Sequence, residues 1–250
     1  MINTTRGSMT NVERYLIGAW SLITVLLGGV GNILVMTAVG TKRFKIDTTS
    51  LWFIINMSVS DLMYILTIVL PSVSNNFMDR WMFGSVLCSM SSNFANWYAI
   101  AHLLSLTLFS LNKLLRCMFP LRSLYNNLSK RKGAAITIWM WLMSSIPTME
   151  HYVLKRGYQY DKTINRCFLP NREGNELWYK IDKVNFLSYT AVPLLIIITC
   201  NVGLVHIAQK SARVVQKTTL LMIICLSALL FTLASMTYVM TLTGPLIEHL

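Results

Sequence analysis

Six stretches of about 20 mostly apolar residues follow one another along this chain, a pattern that points to hydrocarbon rather than water as their solvent. They cover approximately residues 15–39, 51–74, 87–109 with a helical extension to 117, 134–152, 184–208 and 218–242. At a rise of about 1.5 Å per residue, each is long enough to cross about 30 Å of bilayer core. Inside lipid every backbone N–H and C=O needs a partner in the chain, and continuous apolar runs lack the alternation of barrel strands. The expected fold is therefore all-α, a polytopic transmembrane helix bundle. Residues 1–14 form a short extracellular N-terminus, 15–242 the bundle and 243–250 an extracellular-side stub. Only 13% of the 250 residues are charged, about half the share of a soluble domain.

Orientation follows from the basic residues, which are retained on the cytoplasmic side when they lie close to helix ends. One set of loops carries Lys42, Arg43, Lys45, Arg116, Arg122, Lys130, Arg131, Lys132, Lys210, Arg213 and Lys217, opposed only by Asp47. The other set mixes signs, with Glu13 beside Arg14, Asp79 beside Arg80, and Glu150, Asp161, Glu173, Glu176 and Asp182 in and around the long fourth connection. The first set is read as cytoplasmic, which places the N-terminus outside and the first helix as an uncleaved signal anchor. The net charge of +12 is then a mark of topology, and its scatter over short loops argues against a nucleic-acid partner.

Of the five cysteines, Cys88 and Cys167 alone fall at or beyond the outer membrane surface, where an oxidising compartment favours a disulfide over two free thiols. Such a bond would hold the long loop over the bundle as a lid. Asn3, in Asn3-Thr4-Thr5, is a glycosylation candidate on the same side, whereas the sequon at Asn127 lies on the inner side.

Gly31-Asn32, Asn56-Met57-Ser58-Val59-Ser60-Asp61-Leu62, Trp81-Met82-Phe83-Gly84 before Cys88, Pro120-Leu121-Arg122, Trp139, Cys167, and Phe186 with Pro193 occur in an order that resembles the rhodopsin-like, class A, G-protein-coupled receptors. The resemblance implies a seven-helix bundle, an outer ligand cavity and an inner face that engages heterotrimeric G proteins. The chain as read ends before a seventh apolar run, so six helices of that architecture are expected.

Asp61 is the sharpest single residue, because a carboxylate at mid-membrane costs a few kcal/mol unless it faces polar partners inside the bundle. By resemblance it is a sodium-linked conformational switch with Asn32 as neighbour; its plainer reading is a polar contact between helices. A sodium ion near Asp61 is the one cofactor implied. Fourteen residues after Cys88, His102 stands where the family often has a serine, and an imidazole there could bond Asp61 or become cationic and displace the ion. At the inner end of the third helix the family's Asp-Arg-Tyr reads Asn112-Lys113-Leu114, so Lys113 gives a point charge without the arginine fork. That change points either to a weaker restraint of the inactive state or to poorer engagement of the partner. Asn112, Lys113 and Pro120 are the residues expected to face a G protein. Pro71, Pro147 and Pro193 lie within helices and are expected to bend them.

Ala95 occupies the position of the aspartate in amine receptors, which disfavours an amine ligand. Ser92, Ala95, Asn96, Ala99, Phe168, Met236 and Met240 are cavity candidates by resemblance, though each also suits plain helix packing. Aromatic and charged residues in the long loop favour a peptide ligand. Plasma-membrane localisation and receptor dimerisation go with this reading. A truncated non-signalling partner of a complete receptor, or an inactive fragment, is the alternative, with a transporter or channel behind it, since no inverted repeat and few intramembrane charges are visible. Paired catalytic carboxylates, metal-spaced His/Cys clusters and phosphate-cradling loops are absent from the sequence, so an enzyme is not expected.

Overall fold

The computed structural model describes residues 10–41, 48–119, 130–153, 159–161, 166–168 and 176–209. Their elements are α1 (Asn11–Gly40), α2 (Thr48–Tyr64), a π-turn (Ile65–Val69), α3 (Leu70–Met78), α4 (Gly84–Met118), α5 (Lys130–Val153), β1 (Gln159–Asp161), β2 (Arg166–Phe168), α6 (Glu176–Phe186), a second π-turn (Leu187–Ala191) and α7 (Val192–Gln209). Joined through the π-turns, these make five long helical rods, one for each of the first five apolar runs. The sixth run, 218–242, lies outside the described residues.

Polarity is inverted relative to a water-soluble protein. Leu26, Leu27, Val30, Leu34, Leu195 and Val202 are exposed, while Ser50, Ser60, Asp61, His102, Ser105, Ser110 and Asn112 are buried. Lipid is as apolar as leucine, so nothing drives the greasy side chains inward, and polar groups converge where they can bond one another. Four of the rods are long and apolar enough to cross a membrane, so the chain is a multi-pass membrane protein. α4 is the hub, packed against α2, α5 and α7, and α1 lies against α2 and α3. One core cluster, of Phe53, Ile54, Met57, Leu103, Leu106, Phe109, Met140 and Ile197, ties α2, α4, α5 and α7 together.

The two π-turns have a common cause. Each directly precedes a proline-bearing first turn, at Pro71 and at Pro193. A proline has no N–H to donate and its ring collides with the carbonyl four residues earlier, which is Thr67 in one case and Tyr189 in the other. Widening that turn relieves the clash, and the Leu70 and Val192 N–H groups reach back five residues to the Ile65 and Leu187 carbonyls. Pro147 is instead carried inside a continuous α5.

Close approach of α2 and α5 depends on Gly133, since a Cβ there would overlap the Trp52 indole. Gly133→Ala is expected to cost about 1–3 kcal/mol by forcing the ring or the helix aside. A thermal unfolding curve of the purified chain that does not move would count against this packing.

Sequence reasoning did not anticipate the antiparallel hairpin β1–β2, in which Tyr160 lies opposite Cys167. Strands of three residues leave no readable alternation, and this pair is positioned by what it touches. Cys167 is bonded to Cys88, with Cα atoms 5.5 Å apart, and the Tyr160 ring stacks on Trp81 at 6.4 Å. Trp81 is itself fixed by its indole N–H, which donates to the Gly84 carbonyl at 2.7 Å. Gly84 has φ +73°, a left-handed conformation that glycine adopts without penalty, and it opens α4 directly after this bend.

Candidate functional site

The buried interface of α2 and α4 carries the charged groups. Asp61 lies at the level where α2 crosses α4, and its Oδ1 is 2.6 Å from Nδ1 of His102, with both side chains largely withdrawn from solvent. The two helices thus meet through a carboxylate–imidazole pair, the arrangement that lets an acid reside in a low-dielectric interior.

Asn32 does not join that pair. It is half-buried on α1, and its amide donates to the Gly28 carbonyl of its own helix at 2.9 Å. Back-bonding of this kind satisfies an amide locally, so a polar residue at a helix interface need not bridge to its neighbour. The expected Asn32–Asp61 contact is therefore replaced by His102–Asp61.

One turn toward the inner side of α2, Asn56 joins three helices. Its Nδ2 donates to Ser105 Oγ on α4 at 2.5 Å, and its Oδ1 accepts from the Trp141 indole on α5 at 2.7 Å. Trp97 of α4 in turn donates to the Trp141 carbonyl at 3.0 Å, and the Trp97 and Tyr98 rings meet Trp141 edge-on at 5.7 and 5.9 Å. The resemblance had assigned the fourth-helix tryptophan to Trp139, but the Trp139 side chain is exposed and Trp141 holds the inward position. Trp141→Phe is expected to destabilise by about 1–3 kcal/mol, because the buried Asn56 oxygen loses its donor. Trp139→Phe should stay within about 0.5 kcal/mol. Equal effects of the two substitutions on thermal stability would overturn the correction.

At the inner end of α4, Asn112 is buried and its amide donates to Ser50 Oγ on α2 at 3.3 Å. Its side chain therefore packs between helices and is not presented at the inner surface, contrary to expectation. Lys113 lies with Nζ 5.3 Å from the Phe109 ring centroid, a cation–π contact. Pro120 lies outside the described residues.

The outer-cavity candidates separate in the same way. Ala95 is fully buried in a cluster with Tyr64, Ile65, Ile68, Val69 and Tyr98, so its methyl group seals α4 against α2 and the first π-turn. Ala99 is also buried, whereas Asn96 is half-exposed. The backbones of Ser92 and Phe168 are placed in α4 and β2; Met236, Met240 and Asn3 lie outside the described residues. A second outer contact joins Arg14 of α1 to Asp79 at 2.7 Å, where Asp79 ends α3 in the left-handed conformation.

Comparisons with known proteins agree with this geometry. The model of the family described as "7 transmembrane receptor (rhodopsin family)" matches residues 31–248. The alpha-1A adrenergic receptor of Oryzias latipes is 26% identical over 207 residues, 82% of this chain and 42% of that protein. The G-protein coupled receptor homolog K2 of swinepox virus is 26% identical over 243 residues, 92% of this chain and 64% of that protein. The crystal structure of squid rhodopsin shares the fold at a TM-score of 0.67 and 19% identity, over 82% of this chain and 55% of that one. The chain thus spans about two fifths to two thirds of the length of these relatives. A matched family model across most of the sequence, on a bundle of this architecture, shows that the chain belongs to the rhodopsin family of seven-transmembrane receptors.

Proposed function

We propose that this chain is a receptor of the plasma membrane, with its N-terminus outside, that binds an extracellular peptide and engages a heterotrimeric G protein from its inner face. The observation that carries the reading is the buried Asp61–His102 pair, since ionisable groups are retained at mid-membrane chiefly for ion or conformational work. A peptide suits the outer end better than an amine, because Ala95 offers no counter-ion and its methyl group is sealed against α2. The disulfide ties the hairpin to the outer end of α4, and in this reading the hairpin serves as a lid.

The pair also bears on the ion that the resemblance implies. A hard cation needs several oxygen ligands around one carboxylate. Here the imidazole nitrogen takes the Asp61 oxygen and Asn32 is turned to its own helix, so the donor set fits His102 in place of sodium. Exchanging sodium for choline is expected to leave the thermal stability of the purified chain unchanged, whereas His102→Ser should make it sodium-dependent. A sodium effect of equal size in both forms would discard the replacement.

Signalling is tested by guanine-nucleotide exchange on a panel of heterotrimeric G proteins, with the full chain in lipid nanodiscs and with Lys113→Ala as comparison. Exchange above empty nanodiscs that falls at least about threefold in Lys113→Ala supports the reading, in line with loss of one charged contact. No exchange with any G protein, with or without peptide pools, would sink it.

A further inference from the structure

Glu150 is a carboxylate that takes no part in the contacts above. Glu150 lies in the last turn of α5, half-buried, and its Oε2 accepts a hydrogen bond at 2.7 Å from Nδ2 of Asn185 in the last turn of α6. Tyr189, one turn further along in the second π-turn, lies within electrostatic range of the same group. Asp61 has His102 and Asp79 has Arg14, but among the described residues no basic side chain lies within ion-pairing distance of Glu150.

A carboxylate moved part-way out of water loses hydration that one neutral amide restores only in part. The amide does fix its direction, since it ties the Glu150 head to the neighbouring helix. Oε1 is left to accept from a group arriving at the outer end of the α5–α6 seam. A guanidinium fits best, because its planar fork gives a carboxylate two parallel charge-assisted bonds. Ala95 supplies no acid on α4, whereas Glu150 puts a carboxylate on the α5–α6 seam.

We propose that Glu150, aimed by Asn185, is a subsite for a guanidinium-bearing side chain of the extracellular ligand, an arginine of a peptide. The proposal rests on the receptor reading above and names the chemistry of its ligand.

The test compares Nα-acetyl-arginine amide with Nα-acetyl-citrulline amide, which has the same shape and a neutral urea in place of the guanidinium. Thermal unfolding of the purified full chain is followed in nanodiscs at constant ionic strength. The arginine probe is expected to raise Tm saturably, with half-effect at about 1–10 mM. The citrulline probe should be about tenfold or more weaker, for want of the charge-assisted pair. Glu150→Gln should abolish the difference and Asn185→Ala should shrink it. Equal shifts from both probes in the unmodified chain, or a difference that survives in Glu150→Gln, would overturn the subsite. The comparison in the unmodified chain stands even where a variant folds poorly. Failure of the probes with nucleotide exchange intact removes the subsite alone, whereas failure of exchange removes the receptor reading whatever the probes do.

Discussion

Replacing His102 with leucine is expected to destabilise the helix bundle by about 3–5 kcal/mol, the cost of leaving a buried charge without its partner. Asp61 has no other partner among the described residues, because Asn32 is committed to its own helix and the next polar node, at Asn56, is closed by Ser105 and Trp141. Folded yield of the purified full chain and its thermal midpoint should both fall. Asp61→Asn alone should be milder, since a neutral amide can still bond the imidazole. Combining Asp61→Asn with His102→Leu should recover at least about 2 kcal/mol relative to the sum of the single effects, as contacting residues do in a double-mutant cycle. Strict additivity would mean that the two side chains do not act on each other, and the switch reading would go with it.

The five described rods were legible because the bilayer imposes one length and one polarity on any helix that crosses it. α4 ends at Met118, one residue beyond the expected 117, because Arg116 in its last turn can reach the interface. α5 begins at Lys130, four residues before its apolar run, for the same reason. The π-turns were not legible, although Pro71 and Pro193 marked where the backbone would yield. A proline specifies a clash with the residue four before it and leaves open whether the helix bends, widens or tolerates it, as Pro147 shows.

Asp61 and His102 could be found from the sequence because a carboxylate in an apolar run is conspicuous by itself and the spacing from Cys88 brings the imidazole to its level. Trp141 could not be told from Trp139. Two residues apart on a helix is about 200° of rotation, so one must face inward and the other lipid. Tryptophan is accepted in both places, and in a membrane the apolar face no longer marks the interior. Only the position of Asn56 settles the phase of α5, and that is a tertiary fact. The resemblance set Asn112 beside Lys113 on a G-protein-facing surface, but successive helical residues point about 100° apart, and Ser50 accepts from the Asn112 amide.

Cys88→Ser is expected to release the hairpin from the bundle and to lower stability by about 2–5 kcal/mol, the range for loss of a native disulfide. The bond joins residues 79 apart in sequence, so it closes a long loop that the unlinked chain would leave open. Without it, no covalent link would hold the two three-residue strands against α4, and the Tyr160–Trp81 stack would be among the contacts left to position them. An isolated hairpin of that size is at best marginally stable in water. Trypsin should then cut after Arg166, the first residue of β2, at least about tenfold faster than in the unmodified chain. Cys167→Ser should match Cys88→Ser, and the double variant should be no worse than either alone, because both cysteines serve one bond. Cys117→Ser, at an exposed free thiol, should leave the cleavage rate unchanged. Nanodiscs bearing Cys88→Ser that resist trypsin like the unmodified chain would show that the hairpin is held by its packing, and the lid would then owe nothing to the disulfide.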